Sequence, residues 1–179
     1  MFRRIFLYLT DSRLRTALRT IAACGPALGD LAASPESAPR FFRPLHLRLA
    51  RASAGGSGSR AGGAAAAAAE NLAARLEKFF DDLALHKTAA DLPLEQALAC
   101  LQAACAEAPE LLSPRGRAPA LEKIRGLSAA GTKTLRLAKD AAEGQRVNFP
   151  QNLKFSSMYS GLEAVFDAFE RCANALYGA

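Results

Sequence analysis

The sequence predicts an all-α protein: an antiparallel up-down four-helix bundle over residues 64–179, preceded by an Arg-rich, partly helical extension over residues 1–63. Three observations predict it. Large apolar residues recur three and four positions apart in separate stretches, the spacing of one helix face, while alternating runs of Val, Ile or Thr are nearly missing. Gly and Pro gather between those stretches. Half of the residues are hydrophobic, but many are alanine and Trp is absent, which suits thin seams between helices.

Phe155 to Leu176 is the most strongly patterned stretch. Phe155, Tyr159, Leu162, Phe166, Phe169, Ala173 and Leu176 alternate four and three apart, and Met158, Val165 and Cys172 form a second row at heptad spacing. Ser156, Ser160, Glu163, Asp167, Glu170, Arg171 and Asn174 take the other side. An apolar face so wide needs a surface to pack on, because helices in water draw most of their stability from packing. It exceeds what one neighbouring helix covers. Met158, Val165, Phe169 and Cys172 are therefore the candidate contacts for a partner helix or for self-association.

The N-terminal side carries the charge. Residues 1–60 contain ten Arg, no Lys and three acidic residues, a net of +7; residues 61–179 contain 13 basic and 14 acidic residues, a net of −1. Thr10 or Asp11 can cap a helix with Leu14, Leu18 and Ile21 on one side, and Gly25-Pro26 should stop it. Arg13, Arg15 and Arg19 lie on its other faces. Such an amphipathic, Arg-rich, acid-poor segment has three readings: a mitochondrial or plastid transit peptide, a basic arm for RNA or an anionic membrane surface, or one more helix with solvated arginines. Arg40, Arg43, Arg48 and Arg51 extend the basic arm. Leu45, Leu47 and Leu49 have strand spacing, although a short helix after Pro44 fits equally, and Phe41 and Phe42 beside arginines can stack on bases. Residues 53–63, rich in Gly and Ser, have the composition of a flexible linker and mark the domain boundary.

The alanine run Ala64–Ala69 should extend a first bundle helix whose stripe is Leu72, Leu76, Phe79, Phe80 and Leu83. Asp91 can cap a second helix with Pro93 in its first turn; it carries Leu94, Ala97, Leu98, Leu101 and Cys105 inward and ends near Pro109. Residues 113–119 form a turn. A third helix over 120–142 has an imperfect stripe of Leu121, Ile124, Leu127, Leu135 and Leu137. Gly126 and Gly131 within it either permit a close crossing or mark a bend. Residues 145–154 connect to the last helix.

No paired close Cys or His ligands, phosphate loop, dinucleotide fingerprint or nucleophile elbow is present in the sequence. The four cysteines, Cys24, Cys100, Cys105 and Cys172, read as small buried hydrophobes. His86 lies four residues after Asp82, which could orient its imidazole, but the Glu-x-x-His of a bundle di-iron site is missing because residue 83 is Leu. No catalytic residue, metal ligand or cofactor is assigned. No run of 18 apolar residues is long enough to span a membrane. In element order the chain is similar in outline to the extrinsic four-helix subunits on the lumenal side of photosystem II, a resemblance that implies only a plastid location. The expectation is a non-enzymatic accessory or adaptor subunit, soluble or peripheral, working through other protein subunits or self-association. Its location is an organelle if the N-terminus is a transit peptide, and the cytoplasm otherwise. The alternatives are a nucleic-acid- or ribosome-associated protein acting through residues 1–60, and a bundle carrying a cofactor near His86.

Overall fold

The computed structural model describes residues 11–54, 59–144 and 148–179. Among them the regular elements are all helical: α1 (Ser12–Ala33), α2 (Ala38–Ala54), α3 (Arg60–His86), α4 (Leu92–Glu107), α5 (Arg117–Gly144) and α6 (Phe149–Gly178), with single 3-10 segments at Pro35–Ser37 and Ala108–Leu112. The first ten residues of the transit-like segment and residues 55–58 of the Gly/Ser stretch lie outside the described residues.

The four helices expected after residue 63 form, three of them with longer ends, while the second stops at Glu107, just short of Pro109. Asp91 caps α4, its Oδ1 accepting from the Leu94 N–H at 3.1 Å. The last helix begins at Phe149, with Pro150 in its first turn, so six residues of the expected connection belong to it. Gly126 and Gly131 do not break α5, which runs unbroken from Arg117 to Gly144.

The boundary at residue 63 does not hold. Leu14, Leu18, Ile21, Leu28 and Leu31 of α1, and Phe42, Leu45 and Leu49 of α2, are buried in the same core as the four later helices. α1 also passes through Gly25-Pro26 instead of ending there. A proline inside a helix costs roughly 3 kcal/mol, but stopping at Gly25 would leave Leu28 and Leu31 uncovered, and each gains roughly 1.5–3 kcal/mol on burial. Burial therefore offsets the proline. Gly25 serves the packing: a Cβ there would lie 2.8 Å from the Cβ of Cys105, so α1 and α4 cross close at this point. Leu45 and Leu49, one turn apart, bury together while Leu47 between them is 52% exposed, which makes this segment a helix and not a strand.

The arrangement is a ring. α3 packs on α6, α6 on α5, α5 on α4, α4 on α1, and α1 back on α3. α1 thus occupies the place between α3 and α4 that an up-down bundle gives to direct contact of those two helices. α2 lies outside the ring against α1 and α3. The N-termini of α1 and α3 meet, since Asp11 bonds Ser59, so these two helices run parallel and the remaining neighbours run antiparallel. α6 has α3 and α5 on either side, which accounts for its two apolar rows. Across α5 and α6, Arg125 donates to Asn174 at 3.0 Å and Arg136 to Glu163 at 3.1 Å.

Of the two glycines inside α5, Gly126 and Gly131, the second is the contact point. A Cβ there would fall 2.3 Å from Cζ of Phe166, whereas Gly126 has open space around it. Buried Ser128, one turn before Gly131, keeps the same face small. Gly131→Ala should therefore lose about 1–3 kcal/mol through overpacking, despite the roughly 1 kcal/mol by which Ala favours a helix. Gly126→Ala should gain up to about that helix preference. Urea denaturation of the two variants distinguishes them; changes of the same sign would mean that Phe166 is not seated on Gly131.

Candidate functional site

Met158, Val165, Phe169 and Cys172, the residues expected to meet a partner, are between 0% and 2% exposed. They face the interior of the ring, so no partner reaches them in this fold. The width of the α6 face has an intramolecular cause.

The seven arginines of the expected basic arm sit on two ordered helices and divide by role. Arg13 is structural. Its Nε and Nη2 donate to the carbonyls of Ala52 and Ser53, 3.1 Å each, and satisfy the last turn of α2. Beside it Asp11 caps α1, with Oδ1 accepting from the N–H groups of Arg13 at 2.9 Å and Leu14 at 3.2 Å. The other oxygen of Asp11 accepts from the Ser59 N–H at 2.9 Å and from its hydroxyl at 2.5 Å. Ser59 in turn caps α3, its Oγ accepting from the Gly62 N–H at 2.9 Å. A Cβ on Gly62 would lie 2.2 Å from Asp11 Oδ2, so only glycine admits the carboxylate here. The end of the Gly/Ser stretch is thus a cap and a first helical turn. Its glycine meets a steric demand.

Arg19, Arg48 and Arg51 are exposed and line one hollow of about 430 Å³ between α1 and α2, together with Ser12, Thr16 and Thr20. No carboxylate lines it. Thr16 donates to the Ser12 carbonyl at 2.7 Å and Thr20 to the Thr16 carbonyl at 2.9 Å, which holds the α1 wall. Arg40 lies farther along the same seam, beside Asp30. Arg43 is on the outer face and Arg15 is half-buried. Phe41 and Phe42 pack edge to face with ring centroids 5.0 Å apart, Phe42 fully buried and Phe41 half-buried beside Arg40, so only part of one ring faces outward.

At the opposite end of α1 there is a larger groove of about 740 Å³, between the last turns of α1 and α3 and the outer face of α4. Leu28, Leu83 and Leu98 form its floor, and Gly29, Ala32, Ala33, Ala84 and Ala99 its walls. Glu36 and Glu95 stand on it, with Lys87 the single basic residue among the described residues that line it. This groove leaves no signal in the sequence, because its lining comes from three helices and consists largely of alanine.

The remaining reactive side chains have structural surroundings. His86 does not pair with Asp82, which is bound by Lys78 at 3.2 Å, and the hollow that His86 lines is faced by Lys87 and Lys154. His46 meets Glu77 at 2.9 Å across α2 and α3. Cys24, Cys105 and Cys172 are buried free thiols from three helices. Burial pushes Cys24 and Cys172 up to about 12 and raises Cys105 as well, which leaves them un-ionised and unreactive. Burial and the Asp91 carboxylate raise Tyr159, whose hydroxyl donates to Asp91 and ties α6 to the start of α4. Among the described residues no group of three His, Cys, Asp or Glu is arranged to hold a metal ion, and no helix is long and apolar enough to cross a membrane.

Comparison with protein-family models, with curated proteins and with solved structures gives no match, so the resemblance in outline to the photosystem subunits acquires no family support.

The Asp11 clasp makes a pH prediction. Burial raises its carboxyl, but the hydrogen bonds from Ser59, Leu14 and Arg13 prevail and hold it below the ordinary 3.8. A carboxylate lowered in the folded state stabilises at all pH above its unfolded value and ceases to as pH falls through the folded one. Asp11→Asn should cost about 1–3 kcal/mol at neutral pH. In denaturant titrations the gap between the two proteins should stay constant down to pH 3.8 and close below it. A gap independent of pH would mean that the charge of Asp11 does not hold the clasp.

Proposed function

We propose that the protein is a non-enzymatic helical accessory subunit that holds a partner protein in the groove between α1, α3 and α4. The observation that carries this reading is the groove's lining: exposed and half-buried alanines and a glycine contributed by three helices, laid over leucines that are themselves buried. Small walls let a helix backbone approach closely, so the occupant proposed is an amphipathic helix of another protein. Charge selects its flank. α1 and α3 end here while α4 begins here, so the helix dipoles oppose one another and the side chains decide: Glu36 and Glu95 set two carboxylates against Lys87. A basic residue beside the apolar face of the partner helix suits that rim.

The cofactor-bundle alternative has less support. The hollow at His86 is faced by two lysines, which repel a metal cation, and Asp82 is engaged elsewhere. An organelle address remains compatible with the fold only if the signal precedes α1. Removing residues 1–63 would strip Leu14, Ile21, Leu28 and Phe42 from the core.

A photo-crosslinker at position Ala99, on the groove wall, should join one partner polypeptide in extract from the native source, at a helical segment bearing Lys or Arg. Ala32→Arg combined with Ala99→Arg should abolish the product while circular dichroism stays unchanged. Cross-links scattered over many proteins, or formed only to a second copy of this chain, would dismiss the reading.

A further inference from the structure

The hollow on the α1/α2 seam is independent of that groove. We propose that Arg19, Arg48 and Arg51 form a docking surface for the phosphodiester backbone of duplex nucleic acid. Three guanidiniums border one hollow, each exposed, and the other polar groups lining it are hydroxyls. α2 contains four arginines and no acidic residue, and its one histidine is turned away to Glu77 on the α3 side. Such a lining has nothing to offer a cation and a fork of donors for each of several phosphate oxygens. Arg40 continues the basic edge of α2, about 16 Å of helix rise before Arg51, although Asp30 beside it makes that end less positive.

The form of the surface selects among anions. A small phosphorylated metabolite needs a pocket with buried polar groups to fix it, and these arginines are open to solvent. A membrane-surface helix inserts its apolar side, but the apolar side of α2, with Ala38, Phe42, Leu45 and Leu49, is buried in the core, leaving Leu47 alone exposed. A single strand adds base stacking on aromatic rings to its phosphate contacts, and of the two Phe of this segment Phe42 is fully buried and Phe41 half-buried edge to face against it. A duplex presents a row of phosphates and asks for no stacking, so it fits best. The contacts are all to backbone, and binding is independent of base sequence.

The test is fluorescence anisotropy of the full chain with a labelled mixed-sequence DNA duplex of roughly 20 base pairs across a salt series. Each phosphate neutralised contributes about 0.9 to the slope of log affinity against log salt. Wild type should give a slope of about −3 to −4, and Arg19→Gln/Arg48→Gln/Arg51→Gln should weaken binding at low salt at least about tenfold and flatten the slope by about 3. The pair Arg48→Gln/Arg51→Gln should flatten it by about 2, which keeps the test decisive if the triple variant loses helix content. Arg75→Gln/Lys133→Gln/Lys154→Gln removes the same charge from α3, α5 and α6 and should leave binding within about twofold. Three results would overturn the proposal: no duplex binding by the wild type at low salt, equal weakening by the control variant, or binding to phosphatidylserine vesicles without binding to the duplex. None of these depends on whether a protein occupies the groove on the far end of α1.

Discussion

The fold depends on one seam, the gap between α3 and α4 that α1 fills. Those two helices are joined by a short turn, yet their apolar sides do not close on each other; Leu28 of α1, Leu83 of α3 and Leu98 of α4 border one groove at the end where the three meet. Without α1 the four later helices would present an open trough lined by leucine. The consequence is cooperative: α1 has no reason to be a helix in isolation beyond its cap, and the bundle has no complete core without α1. The Asp11–Ser59 clasp sets the register of this insertion, because it joins the N-termini of α1 and α3 through one carboxylate. Sliding α1 by one turn would separate Asp11 from Ser59 and move Gly25 away from Cys105.

How much of this was legible follows from what kind of signal each feature leaves in a sequence. The stripes of α3, α4 and α6 were legible because large residues recur at helical spacing, and the Asp91 cap because its proline follows two residues later. The insertion of α1 was not. Gly25-Pro26 reads locally as a stop, and the gain that overrides it, burial of Leu28 and Leu31, is a long-range quantity. Gly62 was misread for a related reason: glycine that satisfies a steric demand and glycine that provides flexibility are the same letter. Only the nearby carboxylate of Asp11 tells them apart. Gly126 and Gly131 repeat the lesson within one helix, with Phe166 facing one and open space facing the other.

The rows of α6 show a limit of counting faces. An apolar surface wider than one neighbour needs suggests an external partner, but a helix inside a ring has two neighbours, and α3 and α5 use both rows. Width therefore reports the number of contacts and is silent on whether they are within the chain. The surfaces left to the outside are less conspicuous in sequence. One is mostly alanine, and the other combines arginines more than 25 residues apart on two helices.

Both outside surfaces are properties of α1. Its first half supplies Arg19 and the threonine wall of the seam with α2; its last two turns supply Leu28, Gly29 and Ala32 to the groove with α3 and α4. The two ends differ in charge for reasons that add. At the N-terminal end the capping carboxylate is consumed by the clasp and the neighbouring side chains are arginines, so the local field is positive. At the C-terminal end the dipoles of α1 and α3 are opposed by that of α4, which begins there, and the carboxylates of Glu36 and Glu95 make it negative. A buried, clasped helix thus holds two oppositely charged surfaces at a fixed separation of about 20 Å, the rise of the residues between them. That geometry is available to the molecule only because the arginine-rich segment is part of the core and not a tail attached to it.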